Sequence, residues 1–312
     1  MFDEKSPMSL SFMENLAIIY WSQGQWIEAN DILMMLIETR TNVSGKEHPE
    51  TLSTMNHLAK TYQSQGQWTQ AEKLEKKVME ARKRILGQEH PHTLESTMIL
   101  SSIYQDQGQW ENAMELGLMA MDDMKKILGP EHPNTLRSIA NVVMIYNGQG
   151  TYEKAEELGL MVKDAMKRVL GPEHPYTLRS IANLVIIYKG QGRYKKAEEL
   201  GLMVMGKMKE VFGQEHPDTL QSIANLELIY NAQGQWKKAV DLGIVVVEAR
   251  KRVIGENHPY TLASIANLAL AYENQGQWKE SEELTKEMRN LELTHQTQES
   301  QMEVLEFELE AV

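Results

Sequence analysis

Apolar residues in this chain recur at two spacings at once. Over short stretches they keep helical intervals. Leu178, Ile181, Leu184, Val185 and Tyr188 share one helix face, and Ala197, Leu200, Val204, Met208 and Val211 share another. Gln191-Gly192 separates the two runs, and glycine supplies the left-handed residue that commonly ends a helix. Pro175 suits a first helical turn, because it has no N–H to lose and its φ is preset. The pattern predicts one helix opening at Pro175 and a second from about Tyr194 to about Phe212. Gly213 to His216 then forms the loop to the next unit.

The longer spacing is 42 residues. It carries Gly24, Gly66, Gly108, Gly150, Gly192, Gly234 and Gly276, and a tyrosine column from Tyr20 to Tyr272. It also carries an aromatic column of Trp26, Trp68, Trp110, Tyr152, Tyr194, Trp236 and Trp278. A His-Pro-x-Thr-Leu run starts at His48, His90, His132, His174, His216 and His258. In-phase recurrence of this kind is the signature of a repeat architecture. One hairpin is too small to bury its own apolar face, so each must stack on its neighbours. The expectation is an all-α fold of about seven helical hairpins, with residues 1–293 as a single array and 294–312 as an acidic tail or capping helix. Four glycines, Gly117, Gly159, Gly201 and Gly243, fall inside second helices, where close approach of a neighbouring helix is the expected reason for them.

Charge and chemistry narrow the function. The 312 residues carry a formal net charge of −12 and no cysteine. An acidic chain lacks the basic face that nucleic acid and anionic lipid require. No window approaches the roughly 20 apolar residues that span a bilayer, and Met1 to Tyr20 do not read as a secretory signal. A cytoplasmic protein with no nucleic-acid or membrane partner is expected. One histidine per unit, a helix pair from the next, cannot converge on a metal ion. No glycine-rich loop ends in Lys-Ser/Thr, and Gly148-Gln149-Gly150 reads as an interhelix turn. Neither cofactor, metal nor catalysis is expected.

The spacing of Leu184, Tyr188 and Ala197 resembles the tetratricopeptide repeat. The 42-residue step, the Leu-Gly-x-Glu-His-Pro joint and the Tyr-x-x-Gln-Gly-x-Trp/Tyr-x-x-Ala-Glu turn resemble the kinesin-light-chain variety of it, over about residues 7–290. Arrays of fungal nucleotide-binding receptors are similar. The resemblance implies a right-handed α-α superhelix, a solenoid whose first helices line a concave groove. In that register the groove column is Asn15, His57, Ile99, Asn141, Asn183, Asn225 and Asn267. Arg137 and Arg179 stand one turn earlier, Met144, Ile186, Leu228 and Leu270 one turn later, and Lys189 beyond them. An amide offers donors and an acceptor to a peptide backbone, but it can equally bond a neighbouring helix. The position before the asparagine column holds Ala140, Ala182, Ala224 and Ala266, so the carboxylate clamp of other tetratricopeptide proteins is missing.

Residues 129–170 and 171–212 match at 31 of 42 positions, yet Met144/Ile186 and Asn147/Lys189 differ on groove columns. The expected function is a scaffold or adaptor that holds a protein or peptide segment in the groove, with apolar side chains flanked by acidic ones. The alternatives are a purely architectural, self-associating array and a detached sensor module of a nucleotide-binding signalling receptor. Met302 to Glu310 alternates apolar and acidic residues, and reads either as a cap or as a segment able to occupy the groove.

Overall fold

The computed structural model describes residues 6–291, which contain α-helices and no strand. The helices alternate in length with the repeat. First helices are α1 (Pro7–Ser22), α3 (Pro49–Ser64), α5 (Pro91–Asp106), α7 (Pro133–Gly148), α9 (Pro175–Gly190), α11 (Pro217–Ala232) and α13 (Pro259–Gln275). Second helices are α2 (Trp26–Ser44), α4 (Trp68–Leu86), α6 (Trp110–Leu128), α8 (Tyr152–Leu170), α10 (Tyr194–Phe212) and α12 (Trp236–Ile254). The chain is helical again over 278–291. The chain's contacts divide it into two compact units, Met1–Leu200 and Gly201–Val312. Consecutive helices pack as antiparallel neighbours within each. The tail from 294 onward, including Met302 to Glu310, lies outside the described residues.

The recurring motif is a joint made of local hydrogen bonds. Each second helix of the joint ends at a glycine with φ between 90° and 97°, as at Gly45, Gly87, Gly129 and Gly171, a backbone that side chains with a Cβ rarely adopt. The histidine before each proline is an N-cap. Its Nδ1 accepts the backbone N–H two residues on, at 3.3 Å for His48, 3.2 Å for His90, His132 and His174, and 3.1 Å for His216 and His258. Such a cap satisfies one of the four orphan donors of a helix start. The threonine of the motif closes the loop from the other side. Thr51, Thr93, Thr177 and Thr261 donate to the carbonyls of Gly45, Gly87, Gly171 and Gly255 at 2.8–2.9 Å.

Buried arginines lock three joints further. Arg40, Arg82 and Arg250 each donate to a carbonyl in the first turn of the next helix, those of Glu50, His92 and Tyr260 at 3.2, 3.0 and 2.7 Å. Met124, Met166 and Met208 hold the same column elsewhere and are buried as plain apolar filling.

The in-helix glycines do mark close approach where their surroundings are described. A Cβ at Gly117 would stand 3.0 Å from Ser101 Oγ, and one at Gly159 would stand 3.0 Å from Leu184 Cδ2. The first unit reverses the sizes, with Leu33 in that column packed on Ala17. In the tyrosine column Tyr104, Tyr188 and Tyr230 are buried, and Tyr20, Tyr62, Tyr146 and Tyr272 are half-buried. The tryptophan column is more open, with Trp236 42% and Trp278 65% exposed. It opens the second helices beside the hairpin turn, and Trp110 and Tyr152 lie against Gly148 and Gly190 there.

Candidate peptide-binding groove

Within Met1–Leu200, a cavity of about 190 Å³ opens between side chains of α1, α2, α3, α7 and α9. Ala17, Ile18 and Trp21 come from α1, Leu33 from α2, His57, Lys60 and Thr61 from α3, Arg137 from α7 and Tyr176 from α9. All but Leu33 stand on first helices.

Charge in the cavity is arranged in pairs. The Lys60 ammonium lies 3.0 Å from Glu95 Oε1. Burial pushes the Glu95 carboxyl up, but Lys60, with Arg82 and Arg137 behind it, outweighs burial and holds it at about 2. Glu14 lies 2.8 Å from Arg40 and 3.3 Å from His57 Nδ1. Burial raises its pKa, and these two partners lower it further than burial raises it. Arg137 stacks its guanidinium 5.1 Å from the Tyr176 ring centroid, and Arg179 approaches the same ring at 6.0 Å. His174 lies on the ring too, at 5.4 Å between centroids. Tyr176 is thereby held by three cationic or aromatic neighbours, which fix its orientation toward the cavity.

The expected groove residues are placed unequally. Arg137 reaches the cavity, and Arg179 reaches Tyr176 on its rim. Asn141 is half-buried and donates its Nδ2 to the Met98 carbonyl at 3.4 Å, so that amide serves the preceding first helix. Asn225 is 7% exposed and accepts from Gln221 at 3.2 Å. Asn183, Asn267, Met144, Ile186 and Leu228 are half-buried, and Leu270 is 46% exposed. Lys189 is half-buried, and burial lowers the pKa of its ammonium. The cavity does not bring these residues together.

It is lined instead by members of the same columns in earlier repeats. Ile18 and Lys60 stand in the column of Met144, Trp21 in that of Lys189, and His57 in that of Asn183. Stepping back by 42 residues reaches each of them. Tyr176 lay outside the columns considered. Its signal is the Asn134/Tyr176 difference, a further first-helix change between two nearly identical repeats.

Stacked hairpins of this length, capped and joined alike, define a helical-repeat protein. The family profile of the tetratricopeptide repeat matches residues 9–84, 93–159, 137–205 and 228–290, and the chain belongs to that family. A Podosopora anserina protein of kinesin-light-chain type with nearly identical TPR-like repeats is 33% identical, with a TM-score of 0.52, over 67% of this chain and 98% of that one. BtubC from P. vanneervenii is 18% identical, with a TM-score of 0.53, over 72% of this chain and 91% of that one. NprR in complex with its cognate peptide NprX shares the fold at 14% identity, with a TM-score of 0.67, over 92% of this chain and 78% of that one. No curated protein matches the chain. Among the described residues no helix is long and apolar enough to cross a membrane.

Proposed function

We propose that this chain is a non-catalytic scaffold of the cytoplasm that captures a polypeptide segment on its first helices. The observation that carries the reading is the cavity itself, where Trp21, Ile18 and Tyr176 offer apolar surface beside Lys60, His57 and Arg137. A concave site with apolar walls and a few placed polar groups is the usual form of a binding site. The segment it suits has an apolar side chain flanked by carboxylates, because the apolar part fills the cavity while Arg137 and Arg179 attract the acidic flank. NprR, solved with a peptide, is a precedent for such use of the fold.

The intact chain used as bait, followed by mass spectrometry, identifies the segment. Synthetic versions with the carboxylates kept or replaced by amides are then titrated. Arg137→Glu with Arg179→Glu weakens the acidic version more than the amide version, and the difference shrinks as salt rises. Equal loss for both versions, independent of salt, overturns the charge component of the reading.

A further inference from the structure

We propose that Gln105, Asn147 and Lys189, near the C-terminal ends of α5, α7 and α9, form a subsite for an extended peptide that sets a carboxylate on Lys189. The proposal rests on the reading that first helices capture a polypeptide segment, and it adds contacts outside the cavity.

The repeat shows what these three side chains lack. They share one column with Trp21, Gln63 and Asn231, whose side chains bond to the residue 43 positions on, at the end of the next first helix. Trp21 Nε1 donates to Ser64 Oγ at 3.0 Å, and Gln63 Nε2 to Asp106 Oδ2 at 2.6 Å. Asn231 Oδ1 accepts from Asn274 Nδ2 at 2.9 Å. For Gln105 and Asn147 the same step reaches Gly148 and Gly190, which have no side chain to offer. Those glycines are required, because a Cβ on them would overlap Trp110 and Tyr152. The ladder therefore stops where α5, α7 and α9 lie side by side. Asn147 Oδ1 is buried with no partner among the described residues. The terminal torsion of asparagine is broad and roughly two-fold, so this amide can present either its donor or its acceptor to a peptide group.

Lys189 brings charge to the row. It is the only cation of its column, and it replaces the asparagine of a nearly identical repeat. Burial lowers the pKa of its ammonium, and no carboxylate among the described residues acts against that. A cation taken partly out of water gains most from an anion that joins it there. Asp106 sets the direction. It stands beside Gln105 at the other end of the row and faces no cation among the described residues. Burial raises its pKa to about 6, more than the bond from Gln63 lowers it, so it is still anionic at neutral pH. It repels a carboxylate from α5, and the anionic end of the ligand lies over α9. Packed helices stand about 10 Å apart, so the row spans roughly 20 Å, which about six extended residues cross at about 3.3 Å each.

The test uses the full 312-residue chain and synthetic N-acetylated polyalanine peptides of about six residues. One ends in a free carboxylate, one in a carboxamide, and one in a carboxamide on a final glutamate. Binding is followed through the NMR signal of the Lys189 ε-carbon, assigned by its loss in Lys189→Asn. The neutral peptide is expected to bind roughly tenfold more weakly than at least one of the acids, and to leave the Lys189 signal in place. Whichever acid binds tells whether a chain terminus or an acidic side chain supplies the carboxylate. Lys189→Asn, the residue of the preceding repeat, is expected to abolish the preference without lowering the melting temperature, and Lys189→Arg to keep it. Equal affinity for all three peptides, no affinity for either acid, or a preference that survives Lys189→Asn overturns the proposal. Polyalanine has no side chain to fill the cavity, so such a result strikes this subsite and leaves the capture reading, tested through Arg137 and Arg179, standing.

Discussion

Gly243 and Glu227 face each other across the hairpin α11–α12, so closely that a Cβ on the glycine would stand 2.8 Å from Glu227 Oε1. Glu227 is 1% exposed, and neither carboxyl oxygen finds a hydrogen-bond partner among the described residues. Burial raises its pKa from 4.5 to about 8, and the nearby Arg250 offsets only part of that rise. The folded state therefore binds this proton more tightly than the unfolded chain. The stability it contributes is complete below about 4.5 and is lost as pH rises through about 8. Glu75, fully buried and bonded to Asn56 Nδ2 at 2.9 Å, is raised to about 8 as well and acts with the same sign. Urea midpoints are expected to fall as pH rises across this window, and Glu227→Gln flattens the fall. A variant with the wild-type pH slope contradicts the assignment to Glu227.

The helix crossing at Gly159 is tight, with Leu184 Cδ2 3.0 Å and Val143 Cγ1 3.5 Å from where a Cβ would be. Gly159→Leu is expected to destabilise by about 1–3 kcal/mol, as overpacked cores do. Gly206, also within a helix, has nothing within 4 Å. There Gly206→Ala is expected to stabilise by about 0.5–1 kcal/mol, because only helix propensity changes. Melting curves of the two variants should move in opposite directions.

His174→Ala removes the acceptor for the Tyr176 N–H, a bond of 3.2 Å, and is expected to cost about 1 kcal/mol, the usual loss for an N-cap. His174→Asn restores a capping oxygen and should recover most of that loss. Equal stability of the alanine and asparagine variants in chemical denaturation would assign the contribution of His174 to packing alone.

Tyr176→Asn installs the residue of the preceding repeat, Asn134, at the edge of the cavity. Capture of an apolar segment is expected to weaken by on the order of 1 kcal/mol, several-fold in Kd. The melting temperature should barely move, since Asn134 occupies the same position of α7 without harm. Titration calorimetry measures the first and a thermal scan the second.

The helices were legible because their limits are written in residues with one conformational use. Pro175, Gly192 and Gly213 bound α9 and α10 where the sequence places them, with Gly192 at φ 72° and Gly213 at φ 94°. The six histidines mark the joint in the sequence without saying how they hold it. That Nδ1 accepts while threonine donates to glycine depends on how the loop closes. The groove was harder to read. A column names every residue on one helix face, but only neighbouring hairpins decide which members meet. Asn141 bonds to Met98 O, whereas His57 of the same column lines the cavity. Tyr176 belongs to a column of unlike residues, Met8, Glu50, His92, Asn134 and Asp218 among them, where no shared chemistry marks a site.

The joint has an evolutionary corollary. The bonds of Thr51, Thr93, Thr177 and Thr261 each close within six residues, and the histidine caps within two, so a joint carries its own instructions. Excision of residues 129–170 would bring Leu128 onto Gly171, reproducing the Leu-Gly-Pro-Glu-His-Pro sequence that was removed. Gene duplication or loss in whole multiples of the repeat thus keeps the Gly-to-His-Pro sequence of the joint in register. The number of units can therefore change without a new joint having to be made.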